Sequence, residues 1–70
     1  MSELDLALCA GKRLRQLINE NYSSQEEFAY DYGLEIRTVS RYINNGINKV
    51  NIIQELSDFF CVPFTSFFTL

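Results

Sequence analysis

The chain contains no histidine, only one proline and only three glycines among its 70 residues. It also has no glycine-rich phosphate loop and no paired acid and nucleophile signature, so the sequence gives catalysis little support. We therefore expect that the protein is not an enzyme and that it uses no cofactor and no small-molecule substrate. The scarcity of proline and glycine, together with 47% apolar residues, favours a compact helical protein.

Cysteine is rare as well, since the chain has only Cys9 and Cys61. Two cysteines so far apart, without histidine, do not match the ligand spacing of a metal site. A disulfide is not expected in a cytoplasmic chain. The sequence therefore predicts no metal site and two free thiols that are buried or half-buried.

Long apolar runs are also missing from the chain. No run approaches the roughly 18 apolar residues that a transmembrane helix needs, so no membrane partner is predicted. The N-terminus does not have the basic-then-apolar layout of a signal peptide, and repeats are absent. We expect a single domain over residues 1–70, located in the cytoplasm.

Basic charge is the remaining deficit. The chain has six lysines and arginines against nine aspartates and glutamates, which gives a formal net charge of −3. Affinity for DNA comes largely from lysine and arginine at phosphates, and a basic patch is the usual mark of a DNA-binding domain. The charge balance therefore conflicts with an ordinary DNA binder.

Two short helices joined by a glycine turn are predicted over residues 24–45. Ser24 can cap the first helix, and Glu27, three residues later, can complete a capping box. Gly33 stands where the chain must leave that helix with positive φ. Glu35 stands at the start of the second helix. The stretch therefore predicts a helix-turn-helix unit.

The second predicted helix, over about residues 36–44, has one polar and basic face. At about 100° per residue, one side of this helix carries Ile36, Val39, Tyr42 and Ile43. The opposite side carries Arg37, Ser40, Arg41 and Asn44. Arginine and asparagine can pair bidentately with guanine and adenine edges. A solvated face that binds nothing is the alternative for an isolated helix, and the paired helix favours DNA.

These motifs, in this order, resemble the Cro/repressor (Xre-like) helix-turn-helix family. The matches run over about residues 11–68 and are GKRLRQL at 11–17, SQEEFA at 24–29, Gly33, TVSRY at 38–42, NNG at 44–46 and VPF at 62–64. The predicted fold class is therefore all-α, a compact five-helix Cro/repressor-like domain. Asn48 is expected to cap the fourth helix, and Pro63 fits the first turn of a fifth.

The resemblance implies roles for the matching positions. The residues that would face base edges are Ile36, Arg37, Ser40 and Arg41. Gln25 and Asn44 would hold backbone phosphates. The basic residues that could add phosphate contacts are Lys12, Arg13 and Lys49. Glu35 would lie near phosphates or bases, where it could accept a hydrogen bond from a cytosine amino group or repel the duplex.

The C-terminus carries an apolar cluster. Its candidate interface residues are Phe64, Phe67, Phe68 and Leu70. Little protein remains to cover the last three of them, so we expect a homodimer or partner interface, because exposed apolar clusters usually mark one. A missing C-terminal domain would leave the same signature.

Two functions of different classes fit these observations. The first is a transcriptional regulator, of the type found in phage switches, that binds double-stranded operator DNA as a symmetric dimer. The second is a modulator or antirepressor that keeps the helix-turn-helix fold and binds a partner repressor protein. An acidic surface, with Glu35 at its centre, would suit docking onto a basic DNA-reading face. A phage-type protein would act in the cytoplasm of a bacterial host cell.

Overall fold

The described part of the chain forms four α-helices followed by a short 3-10 segment. The computed structural model describes residues 3–68, with the side chains of residues 5–68. The elements in chain order are α1 (Glu3–Asn21), α2 (Gln25–Tyr32), α3 (Ile36–Asn45), α4 (Val50–Phe60) and the 3-10 segment (Phe64–Phe68). The all-α prediction is confirmed, and the described residues contain no strand. None of the described helices combines the length and the apolar character that a bilayer crossing requires.

The predicted fifth α-helix is wrong. The segment after Pro63 is a 3-10 helix of five residues, in which both the backbone N–H and the hydroxyl of Ser66 donate to the Pro63 carbonyl, at 2.9 and 2.7 Å. Bonds three residues apart tighten the turn to 3-10 geometry, which rarely extends beyond a few residues.

The α2–α3 pair has the tight turn that the sequence predicts. The Ser24 hydroxyl accepts from the Glu27 N–H at 3.1 Å, so the predicted cap of α2 is confirmed. The Glu27 carboxylate accepts from the Ser23 hydroxyl, in place of the reciprocal half of a capping box. Gly33 ends α2 with φ +92°, which confirms the predicted left-handed position. Glu35 is the cap residue of α3, although its side chain makes no capping bond.

The helices surround one core. Its apolar residues come from every element, and its fully buried larger side chains are Leu14, Ile18, Phe28, Val39, Ile47, Ile53, Leu56 and Phe67. Phe28 is the centre of an aromatic cluster, with ring centroids 5.3–6.0 Å from those of Tyr22, Tyr32, Phe59 and Phe60. Such pairs add about 0.5–1.5 kcal/mol each beyond the burial of area, so this cluster ties α2 to α4.

The helix α1 crosses the end of α3 at very short backbone distances. A Cβ on Gly11 would overlap the carbonyl oxygen of Tyr42, and a Cβ on Gly46 would lie 2.7 Å from the carbonyl oxygen of Ala7. The Ile47 N–H donates to the same Ala7 oxygen at 2.9 Å, and the Ile47 side chain is buried. Only glycine leaves room for this contact, which holds the turn after α3 against α1.

The C-terminal cluster is not the exposed patch that the sequence predicts. Phe67 is fully buried, because the 3-10 segment folds back onto α1 and α4 and directs this ring into the core. Phe67 therefore cannot line a docking interface of the folded chain. Phe64 and Phe68 are half-buried, with ring centroids 5.4 Å apart. Leu70 lies outside the described residues.

Two further expectations at α4 need correction. Lys49, and not Asn48, is the cap residue of α4, and its side chain makes no capping bond. Both cysteines are free, but only Cys9 is half-buried, whereas Cys61 is exposed. Cys61 ends α4 in the left-handed conformation with φ +58°. The Cys61 N–H donates to Asp58, and the Val62 N–H donates to Ser57 at 3.0 Å, which is the pattern of a Schellman motif.

The substitution Gly11→Ala tests the helix crossing. Helix propensity alone predicts that alanine stabilises this mid-helix position by about 1 kcal/mol. The overlap with Tyr42 predicts the opposite sign, a loss of about 1–3 kcal/mol. Urea unfolding measures the difference. Gly33→Ala is the matched control, since its Cβ would meet open space and only the positive φ opposes it. A more stable Gly11→Ala variant would contradict the crossing.

The substitution Cys61→Gly should stabilise the protein by about 0.5–1 kcal/mol. Glycine removes the steric cost of the left-handed conformation at this position. Part of that gain is lost, because glycine has more conformational freedom in the unfolded chain. Thermal and urea unfolding under reducing conditions would measure it. Cys61→Ala removes the thiol but keeps the Cβ, so it should show no such gain. Equal stabilisation by both variants would assign the effect to the thiol.

Candidate nucleic-acid interface

The helix α3 separates a buried side from an exposed polar side. Val39 is fully buried, and Tyr42 and Ile43 pack against the core from half-buried positions. The opposite side carries Arg37, Ser40, Arg41 and Asn44. These four residues, together with Ile36 at the margin between the two sides, are called the reading surface below. Arg37, Arg41 and Asn44 are exposed, Ser40 is half-buried, and Ile36 is 42% exposed. The structure therefore brings all four predicted base-reading residues and Asn44 onto one helix.

The reading surface continues into an open groove at the end of α3. The groove has a volume of about 680 Å³ and lies between α3, the following turn, α4 and Ala7 of α1. Its polar walls are Arg41, Asn45, Asn48 and Lys49. Arg41 and Lys49 face no carboxylate partner among the described residues. The groove therefore combines two unpaired cations with two amide side chains, which is a suitable environment for phosphate.

Asn45 and Asn48 were not predicted as site residues. The sequence offered one signal for them, the concentration of four asparagines between residues 44 and 51. Turn and cap chemistry accounts for such residues equally well. Their position in the groove follows from the packing of the turn against α1, which the sequence does not display.

The other residues predicted to contact phosphates differ in how accessible they are to a ligand. Lys12 is exposed on α1, and Gln25 is half-buried as the first residue of α2. Arg13 is half-buried, and its Nη1 donates to Gln16 Oε1 at 2.9 Å. Its Nε is buried and has no hydrogen-bond partner among residues 5–68. Arg13 is therefore less available to a phosphate than Lys12, although the two are neighbours in sequence.

An ion pair lies at the start of the reading surface. Glu35 Oε2 is 3.6 Å from Arg37 Nε, and the two side chains are 78% and 88% exposed. An exposed pair of this kind contributes about 0–1 kcal/mol to stability. Its effect on the charge that α3 presents is larger, because it neutralises one of the two arginines of the reading surface.

The outer face of α2 has the opposite charge. It carries Glu26, Glu27 and Asp31, all exposed, around Tyr30, which is 91% exposed. We call this face the acidic surface of α2. Sequence reasoning missed Tyr30, and the signal that could have found it is an aromatic residue on the polar side of an amphipathic helix.

Asp31 also fixes the loop that precedes α2. The Tyr22 hydroxyl donates to Asp31 Oδ2 at 2.6 Å. This hydrogen bond, followed by burial and by the charges of Asp31 and Glu27, raises the pKa of Tyr22 to about 12. The carboxylate accepts from the neutral phenol, and it would repel the phenolate.

Three comparisons with known proteins, against family models, curated proteins and solved structures, each found no match.

The Asp31→Asn variant should lower the pKa of Tyr22 toward the ordinary value near 10, because the carboxylate is the main cause of the shift. Since folding raises this pKa, the hydrogen bond stabilises the fold fully below pH 10, and that stabilisation is lost as the pH rises through about 12. Tyrosine ¹³Cζ NMR would resolve Tyr22 from Tyr32, whose pKa burial also raises. Glu26→Gln is the equal-charge control. An unchanged Tyr22 titration in Asp31→Asn would contradict the assignment.

Proposed function

We propose that this chain is a Cro/repressor-like helix-turn-helix transcriptional regulator that binds operator DNA through α3. The observation that carries the proposal is the reading surface. It collects two exposed arginines and an exposed asparagine on one side of a helix whose other side is buried at Val39. This helix follows α2 after a tight glycine turn, as the second helix of a DNA-reading pair does.

The side chains suit both parts of DNA recognition. Arginine can pair with guanine O6 and N7, and asparagine can pair with adenine, in the major groove. Arg41 and Lys49, which have no carboxylate partner within the described part of the chain, border the groove at the end of α3, where they could neutralise phosphates of the backbone. The local charge therefore favours DNA at this end of α3, although the whole chain has a net charge of −3.

A symmetric dimer would place two copies of α3 in successive major grooves. Its half-sites should then lie about 34 Å, or one helical turn, apart on a roughly palindromic operator. Of the described members of the C-terminal cluster, Phe64 and Phe68 remain half-exposed for such a dimer. Phe67 has no part in it because this ring is buried.

The acidic surface of α2 supports a second candidate function. Three carboxylates surround an almost fully exposed tyrosine, and tyrosine is a frequent anchor of protein interfaces. This surface would suit docking onto the basic DNA-reading face of a partner repressor, as a modulator or antirepressor does. Under this function, the protein alone would show no operator preference.

Fluorescence anisotropy with the DNA that flanks the protein's own gene would separate the two functions. The titration uses the protein alone and then together with any repressor that is encoded beside it, at about 50 and 200 mM salt. Sequence-selective, salt-sensitive binding by the protein alone supports the regulator. If the protein by itself does not bind the DNA but changes the DNA binding of the repressor, the modulator is supported.

The Arg41→Ala variant should weaken specific DNA binding by about 1–3 kcal/mol and relax one base position of the operator. Arg15→Ala is the matched control, since Arg15 is exposed on α1 and outside the reading surface. It should cause a smaller loss that is the same for every sequence. If Arg41→Ala leaves the affinity unchanged while Lys12→Ala reduces it, α3 is not the reading helix.

A further inference from the structure

Glu35 stands directly before the reading surface, yet it does not perform the usual task of a residue in this position. It is the cap residue of α3 with φ −75° and ψ 147°, and its side chain accepts no bond from the first turn of the helix. Cap residues normally satisfy one of the free N–H groups there. The Glu35 carboxylate is therefore directed to something other than the helix end.

The Glu35 carboxylate faces one edge of the Arg37 guanidinium. Glu35 Oε2 faces Nε, the nitrogen on the side of the group, at 3.6 Å. A guanidinium has five N–H donors in a fixed planar fork. Bidentate pairing with guanine O6 and N7 can use the two terminal nitrogens, Nη1 and Nη2. The ion pair at Nε leaves both of these nitrogens free.

We propose that Glu35 is a positioning residue that holds Arg37 by Nε and presents its terminal nitrogens to a guanine. This inference rests on the proposed DNA-binding function and names the base that Arg37 reads. The ion pair restricts a side chain that is otherwise 88% exposed, so less rotamer freedom is lost when the guanine is bound.

The same ion pair changes how Arg37 behaves toward DNA of any sequence. An arginine neutralised by a carboxylate attracts phosphates weakly and releases few counterions. Arg37 forms both hydrogen bonds from Nη1 and Nη2 only where guanine O6 and N7 are in position to accept them. Glu35 therefore lowers non-specific affinity and raises the ratio of specific to non-specific binding.

Simple repulsion between Glu35 and the duplex is the competing explanation, and it makes a different prediction. Repulsion acts on every sequence alike, so its removal would strengthen binding to all duplexes by the same factor. Positioning acts on one base pair, so its removal would reduce the preference for guanine at that base pair alone.

The test compares the base preferences of the wild type, Glu35→Gln, Arg37→Ala and the double variant. A half-site is first selected from a random duplex library with the wild-type protein, and each position is then substituted by the other three bases. The position that relaxes in Arg37→Ala identifies the base pair that Arg37 reads. Anisotropy titrations give the dissociation constant for every duplex and for non-specific DNA.

We expect that Glu35→Gln lowers the preference for guanine at this base pair by about fivefold or more, which corresponds to the lower end of one bidentate pair. Non-specific affinity should rise at the same time. In the Arg37→Ala background, Glu35→Gln should leave the base preference unchanged. Glu26→Gln removes an equal charge from the acidic surface of α2 and should retain the guanine preference. Urea unfolding should show at most a small loss of stability in Glu35→Gln, because Glu35 makes no capping bond and its ion pair with Arg37 is exposed.

The outcomes separate this inference from the proposed function. If the wild type selects a sequence but Glu35→Gln keeps the full guanine preference, positioning by Glu35 is overturned and the regulator function stands. If Arg37→Ala reduces the base preference at an A·T base pair and not at a G·C base pair, the assigned base is wrong. If the wild type selects no sequence at all, both proposals fail.

Discussion

Gly11 of α1 and Gly46 after α3 meet the opposing backbone at a point where neither can carry a Cβ. The rest of the structure depends on this contact, because it sets the distance and the orientation between the longest helix and α3. The bond from Ile47 N–H to the Ala7 carbonyl, with the buried Ile47 side chain beside it, secures the turn at the same point. Backbone contact of this kind permits little adjustment, since packed interiors accommodate even a methyl group poorly. The exposed side of α3 is thereby held in a fixed position.

The positions of the charged residues explain how a chain with a net negative charge can carry a cationic surface. Charges more than about 8–10 Å apart are largely screened at physiological salt, so the local distribution matters more than the net charge. The acidic surface of α2 accounts for three carboxylates, and Glu35 accounts for a fourth that is paired with Arg37. Arg41 and Lys49 lie beside the groove without a carboxylate partner among the side chains that the structure describes. The two arginines of α3 therefore differ in character, one being restrained by a carboxylate and the other free.

The elements that depend on neighbouring residues were predictable from the sequence. The cap at Ser24, the left-handed glycine at Gly33 and the separation of polar from apolar residues on α3 all follow rules that act within one or two turns. The errors arose where distant residues decide. The last segment is a 3-10 turn and not a fifth α-helix, and Phe67 is buried because that turn folds back onto α1 and α4. Hydrophobicity alone does not distinguish an aromatic ring buried in the core from one exposed at a protein interface.

The candidate site divides in the same way. The amino-acid sequence by itself determined that Arg37, Ser40, Arg41 and Asn44 share one side of a helix, because a period of 3.6 residues is a local property. Only the tertiary structure decided that Lys49 joins Arg41 at one groove and that Glu35 meets Arg37 at Nε. The first result depends on the packing of the turn against α1, and the second on the directions of two neighbouring side chains. The sequence does not specify the groove, because its walls come together only when α1, α3 and α4 close around a common core. It does not specify the ion pair either, because an exposed side chain has several rotamers.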